Sequence, residues 1–378
     1  MKLLQAFKYK NKDWEYLTPK VSLTNPLVLV FASRPILDDS DIFHEVKLEF
    51  PYSHIVFGST AGEILGTNVF DDTITVTAIE FNKSTFHIQR ANSIELEKDA
   101  ELVGKKLFES MPNKDSLKHL FVVSEGSFIN GSSLIKGIKG KTNLPFSLSG
   151  GLCGDGPFFN KTLASYNENP KEGEVVLIGF YGETLEITTA SYGGWIPFGP
   201  ERIITKSEGN ILKEIDGQPA LDWYKKYLGD KANQLPQASL LYPLNVQEVD
   251  KSEPVVRTLL NIDTEHQSMI LAGDAPVGSS VQLMMASIDG IIDGAQKAAE
   301  HALKHRKTKP KLALVVSCIG RKLIMNQRVE EEIEEVSSIL GSETKIVGFY
   351  SYGEIAPYPN QTGCELHNQT MTLTLISE

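Results

Sequence analysis

The sequence predicts an α/β protein with mixed sheets, built from repeated strand–helix–strand–turn–strand units in two lobes related by pseudo-symmetry. Three observations predict it. A segment recurs: Ile55-Val56, Thr60 and Gly62-Glu63-Ile64 reappear as Ile346-Val347, Ser351 and Gly353-Glu354-Ile355. A repeated segment means that one supersecondary unit was built more than once. Each copy follows a short apolar run, Leu27–Phe31 or Leu312–Val316, and then a helix-like stretch. Each precedes an alternating Thr/apolar strand, Thr73–Ile79 or Thr370–Ile376, and such alternation points to a mixed rather than a purely parallel sheet. A fainter third copy has the run Leu120–Val123, the turn Ser149-Gly-Gly-Leu-Cys-Gly-Asp155 and the strand Val175–Phe180. Units packed about an axis leave a ligand cleft between lobes.

Taken in order, residues 1–25 read as a lead-in with an edge strand, and 27–31 as a short buried strand. Ser40 to Leu48 reads as a helix with Ile42, Phe43 and Val46 on one face. Thr85–Arg90 is expected to pair with strand 73–81 as a hairpin. Leu96, Ala100, Val103 and Leu107 recur at helical spacing, and Pro112 closes that helix. Strands 175–181 and 185–192 flank Gly182 and are expected to form a second hairpin. Asp216-Gly217 ends strand 211–215, Pro219 opens a helix through Leu228, and Gly229 stops it. Residues 230–265 read as short strands and loops. Strand 281–286 enters the clearest helix, with Ile288, Ile291, Ile292, Ala295, Ala298, Ala299, Ala302 and Leu303 on one face and basic residues at its end. Helix 327–340 follows, with Glu330 to Glu332, Glu334 and Glu335 read as a solvated acidic face.

Composition excludes several classes. The chain has 378 residues, 41% hydrophobic and 22% charged, which is ordinary for a soluble globular protein of two or three domains. A net charge of −11, with no basic run, argues against nonspecific nucleic-acid binding, which needs cations to replace phosphate counterions. No apolar window is long enough to span a membrane, and no signal peptide opens the chain. Cys153, Cys318 and Cys364 are odd in number and lack zinc or CxxCH spacing, so reduced thiols in the cytoplasm are expected.

Local motifs are weaker than the repeat. Lys139-Gly-Lys-Thr142 imitates a phosphate loop, but Ile135 stands where that loop needs its first glycine. Gly58-Ser-Thr-Ala-Gly62 is not a nucleophile elbow, because Thr60 takes the central place of the serine. Cys153 between glycines reads as a buried thiol rather than a nucleophile. His301 and His305 are four apart, without a third ligand to complete a metal site. Glu63 and Glu354 are the sharpest pair. Each is either a turn lock bonded to backbone amides or a carboxylate aimed into a pocket. In the second reading the two supply fixed negative charge for an ammonium group. Tyr350, Tyr352 and Trp195 then wall the pocket, glycines let a ligand approach the backbone, and His367 and Asn368 reach its rim.

At these residues the chain resembles the FIST family, with its FIST N and FIST C domains. The resemblance lies in Phe57-Gly-Ser-Thr-Ala-Gly-Glu-Ile64, Ser149-Gly-Gly151 with Asp155, and Gly194-Trp195-Ile-Pro197. It continues in Asn210 to Ala220 through Tyr224, in Gly348-Phe-Tyr-Ser-Tyr-Gly-Glu-Ile355 and in Glu365-Leu-His-Asn-Gln-Thr370. It covers roughly residues 26–378 and implies an N-terminal domain over 1–205 and a C-terminal domain over 206–378. It implies a cytoplasmic small-ligand sensor rather than an enzyme, amino acids being the usual ligand proposed. A chain ending at Glu378 would lack an output domain and signal through a separate partner, a histidine kinase being one candidate. One branch of the family resembles haem-binding nitric oxide sensors; here a haem would need an axial histidine such as His367. A Cys- or Ser-dependent hydrolase using Cys153 or Ser59 is the third alternative. The residues together give a candidate ligand-binding set of Ser59, Thr60, Glu63, Gly151, Asp155, Trp195, Tyr350, Tyr352, Glu354, His367 and Asn368, with no metal.

Overall fold

Short apolar runs rich in β-branched residues make the inner strands. Leu27–Ser33 and Leu312–Cys318 are buried on both faces, as strands covered by helices on one side and by core on the other must be. In this computed structural model, residues 1–39, 41–140, 146–249, 251, 253–357 and 363–378 are described. The fold is mixed α/β, and three of its sheets share one order of strands.

Each of the three sheets has a first strand (Leu27–Ser33, Leu117–Ser124 or Leu312–Cys318). A parallel second strand lies beside it (His54–Thr60, Ser147–Leu152 or Lys345–Ser351). On its other side runs an antiparallel return strand (Thr73–Glu80, Glu174–Tyr181 or Met371–Ser377). An outer strand covers the return strand, again antiparallel (Lys2–Tyr9, Thr85–Asn92 or Glu186–Tyr192). Helices join first to second strands, as a parallel crossover requires.

The fifth strand of each sheet comes from another segment. Glu63–Leu65, just after the first turn, pairs with Lys345–Ser351. Gly353–Pro357 pairs with Ser147–Leu152, and Ala164–Tyr166 pairs with His54–Thr60. The three donations close a ring. Side chains from all three sheets meet in one core that includes Phe31, Phe121, Val123, Leu314, Val316 and Phe349. The Phe31 and Phe349 rings lie 4.6 Å apart across it.

Both expected hairpins are corrected. Thr85–Asn92 pairs with Glu174–Tyr181, not with the strand before it, and Glu186–Tyr192 pairs with Met371–Ser377. The reason is edge occupancy: the return strand Thr73–Glu80 already has Lys2–Tyr9 on its outer side, so the chain must pass to the next sheet. The lead-in is therefore a paired inner position, flanked by Glu15–Tyr16 on its far side. The helices fall where periodicity put them: Ile42–Glu49, Ala100–Glu109, Ala220–Leu228, Ile288–Leu303 and Glu330–Leu340. Ser40, Lys141 and Thr142 lie outside the described residues.

A fourth sheet, from residues 196–285, has its own core around Ile215, Tyr224, Leu244, Met269 and Val281. It sits in the chain between the outer strand Glu186–Tyr192 and helix Ile288–Leu303. Its first strand, Ile196–Glu208, runs through the 205/206 division, and the sheets draw strands from both sides of it.

Helices Ala100–Glu109 and Gly131–Lys139 cover the second sheet and touch through glycines. A Cβ at Gly137 would lie 2.0 Å from the Glu101 carbonyl oxygen, and one at Gly104 would lie 2.3 Å from that of Leu134. Backbone cannot yield as a side-chain tip does. Gly137→Ala is therefore expected to push the helices apart and cost about 1–3 kcal/mol, read as a lower urea midpoint. An unchanged midpoint would refute this close packing.

Candidate functional site

The carboxyl ends of parallel strands are where ligands of α/β sheets bind, because loops diverge there and leave a crevice. In this fold the three segments bring those ends together. A cavity of about 420 Å³ opens there. Ser33, Arg34, Thr60 and Glu63 come from the first segment, Asp155 and Phe158 from the second, and Ile319, Lys322 and Leu323 from the third.

Glu63 sits at the inner wall, fully buried. One of its carboxyl oxygens is bonded by the Thr60 hydroxyl. The other accepts from the Thr73 hydroxyl at 2.6 Å and the Thr73 N–H at 3.3 Å. Glu354 repeats this set. Ser351 Oγ donates to one oxygen at 2.6 Å, and the Thr370 hydroxyl and N–H reach the other at 2.9 and 3.1 Å. Burial raises the Glu63 pKa to about 7 and that of Glu354 to about 8, against the opposing pull of these hydrogen bonds. Each carboxyl ties the turn after a second strand to the start of a return strand.

Asp155 takes the corresponding place in the second segment but works differently. Its carboxylate accepts from Lys161 N–H at 3.0 Å and lies 3.7 Å from Arg34 Nε. The Tyr352 hydroxyl donates to it and accepts from the N–H groups of Asp155 and Phe159, both at 3.0 Å. Phe159 stacks on the Tyr352 ring at 4.3 Å and holds φ at 51°, a conformation unusual for a bulky residue. Tyr352 thus clamps the 155–159 loop at the mouth of the cavity, where Phe158 is 69% exposed.

The sequence-derived residues fall into three groups. Thr60, Glu63 and Asp155 line the cavity, and Tyr352 holds Asp155. Tyr350 lies behind the wall under Lys322, whose Nζ is 5.6 Å from the ring centroid, and its hydroxyl donates to Glu332 at 2.6 Å. Gly151, Glu354 and His367 stand in register on neighbouring strands, with Asn368 next in sequence and accepting from the Thr258 N–H at 3.4 Å. These four are all buried and lie outside the cavity lining. Ser59 is also buried; its hydroxyl accepts from Leu163 N–H at 2.9 Å. Trp195 packs in a separate small core with Met284, Ile291 and Met325.

The histidine and the cysteine named for two candidate chemistries are both buried. His367 is buried, its Nε2 is 3.2 Å from the Ala356 carbonyl oxygen, and burial lowers its pKa to about 4. Cys153 is fully buried and burial pushes its thiol pKa far up, which is wrong for a nucleophile. Of the histidine pair, His301 contacts the Tyr192 hydroxyl, while His305 lies past the helix end.

Sequence reasoning missed Ser33, Arg34 and Lys322. The signal was present: Ser33 ends the first strand and Arg34-Pro35 follow directly, at its carboxyl end. It also misplaced Glu332. That residue is fully buried and paired with Arg321 at 2.7 Å, because it turns inward from an otherwise exposed acidic helix face.

Models of two domains match the chain, FIST N over residues 26–218 and FIST C over residues 220–357. The chain belongs to the FIST family. FIST domains are associated with sensory signal transduction and small-ligand binding rather than with catalysis. This FIST protein is 22% identical to the uncharacterized protein MJ1623 of Methanocaldococcus jannaschii, over 83% of this chain and 66% of that one. It is 23% identical to the uncharacterized proteins MT0656 and Rv0628c of two Mycobacterium tuberculosis strains, over 48% of this chain and 49% of theirs. The chain thus spans just under two thirds of the archaeal relative and about half of the mycobacterial ones. Among the described residues of the FIST protein, no helix is long and apolar enough to cross a membrane.

Proposed function

We propose that this FIST protein is a cytoplasmic small-ligand sensor whose bound state is read by a separate signalling partner, a histidine kinase being one candidate. The observation that carries the reading is the convergence of all three segments on one cavity. A ligand there touches all three segments at once, so its binding energy can bias how they sit against each other. Its volume of about 420 Å³ suits a metabolite such as an amino acid. We infer, from the shared strand order, three copies of one unit around this junction. A fourth sheet is inserted in the third copy, so a 205/206 boundary marks chain order more than separate bodies.

Leu323 is 41% exposed at the cavity wall, so Leu323→Trp narrows the cavity without disturbing the core. After incubation with a metabolite extract and desalting, native mass spectrometry should show a small molecule on the wild-type chain and none on Leu323→Trp. Identical bound sets on both proteins would sink the reading. Adding the recovered molecule to the chain with a purified histidine kinase should change autophosphorylation. A visible spectrum without a Soret band is expected; a Soret band would favour the haem alternative.

A further inference from the structure

We propose that Ser33 and Arg34 form an anion subsite in this cavity that takes the carboxylate of a small organic acid. This rests on the cavity being the ligand site. Ser33 Oγ and Arg34 Nε are both shielded from solvent and make no hydrogen bond, although both residues line the cavity. A buried donor without a partner costs free energy, and a ligand oxygen that accepts from it recovers that cost. Arg34 is held in position from its other end, where Nη1 donates to Asp38 at 2.5 Å. Its Nε stops 3.7 Å from Asp155, beyond hydrogen-bond reach.

The equivalent strand ends in the other sheets are built differently. By register Ser33, Ser124 and Cys318 correspond, each standing opposite the last residue of its second strand. Ser124 Oγ donates to the Glu125 carbonyl oxygen at 2.9 Å. Next to it Glu125 accepts from the N–H groups of Ser127, Phe128 and Ile129 and from the Thr162 hydroxyl. At the third end Gln369 fills the space over Gly320 and donates to the Leu240 carbonyl oxygen at 3.2 Å. Among the described residues, the first end is the one of the three where a hydroxyl and a guanidinium N–H stay unpartnered in residues that line the cavity.

The charge around it selects the anion. Lys322 is already engaged by Asp71 and by the Ala61 carbonyl oxygen at 2.9 Å. Asp71, Asp72 and Asp155 outnumber Arg34 and Lys322 in the lining. That field disfavours anions in proportion to their charge, a phosphate dianion most, and a single carboxylate offsets it by a charge-assisted contact with one unpartnered guanidinium N–H and one hydroxyl.

The test is saturation-transfer NMR on the whole chain, with straight-chain carboxylic acids and the primary amide of each as probes. At least one acid is expected to bind at about 10 mM or below, with its amide at least about tenfold weaker. Arg34→Gln should weaken the acid by about tenfold or more, Ser33→Ala severalfold, and Leu323→Trp should remove binding. Arg34 is part-exposed, so a melting curve for Arg34→Gln close to the wild-type one is expected and separates site loss from unfolding. Equal affinity for acids and amides, an unaffected Arg34→Gln, or no acid binding at all overturns the subsite. In the first two cases loss of binding in Leu323→Trp leaves the cavity reading standing; retained binding there overturns both.

Discussion

Glu332→Ala is expected to destabilise the protein by about 3–5 kcal/mol, because it leaves the Arg321 guanidinium charged and unpaired where no water reaches it. Arg321 and Glu332 are both fully buried. Arg321 Nε donates to Glu332 Oε2 at 2.9 Å, and Nη2 lies 2.7 Å from the same oxygen and donates to the Ile291 carbonyl oxygen at 2.8 Å. Glu332 Oε1 accepts from Ser317 Oγ at 3.0 Å and the Tyr350 hydroxyl at 2.6 Å. The pair ties three helices to the ends of two strands of the third sheet, immediately behind the cavity. Replacing both members by apolar residues, as in Arg321→Met with Glu332→Leu, should cost less than the sum of the single changes, since no charge is stranded. Urea unfolding of the four proteins gives the coupling. A loss below about 1 kcal/mol for Glu332→Ala would mean that the pair is hydrated and does not brace the site.

Periodicity and composition revealed the parts that local physics decides. Helix Ala220–Leu228 was legible because proline before it and glycine after it fix its ends. The two glutamate turns were legible because the same spacing recurs, and both carboxyls have matching partners. What was not legible is non-local. Nothing in Thr85–Asn92 says that its partner is Glu174–Tyr181 rather than the strand that ends at Glu80, since either edge satisfies the same alternation. The donated strands are three to five residues long, and their partners lie in other segments. Glu332 could not be separated from its exposed neighbours without knowing that Arg321 faces it. The cavity was invisible for the same reason: Ser33, Asp155 and Lys322 are brought together only by the ring of donated strands.

Glu63 and Glu354 together are expected to withdraw several kcal/mol of stability between about pH 5 and pH 8, a loss that should be absent when both are changed to glutamine. Burial raises the two carboxyls to about 7 and about 8. In the unfolded chain both ionise near 4.3. Across the interval the folded state therefore binds more protons than the unfolded state, and stability falls as pH rises. The contribution is complete below about pH 4.3 and is lost through the two folded-state values, at about 1.4 kcal/mol per pKa unit per group. Glutamine keeps the shape and the acceptor oxygen for the Thr73 or Thr370 N–H, and it cannot ionise. Hence the difference from the wild-type curve should show part of this loss for each single variant and all of it for the double variant; buried His367 and His119, lowered to about 4 and about 3, act in the opposite sense and cancel in that difference. At pH 8 the double variant should be as stable as the wild type or more so, whereas at pH 5 it should be weaker by about 1–3 kcal/mol. Denaturant unfolding at four pH values measures this directly. Parallel curves for all four proteins would show that water reaches both carboxyls and that they are not the locks of the two turns.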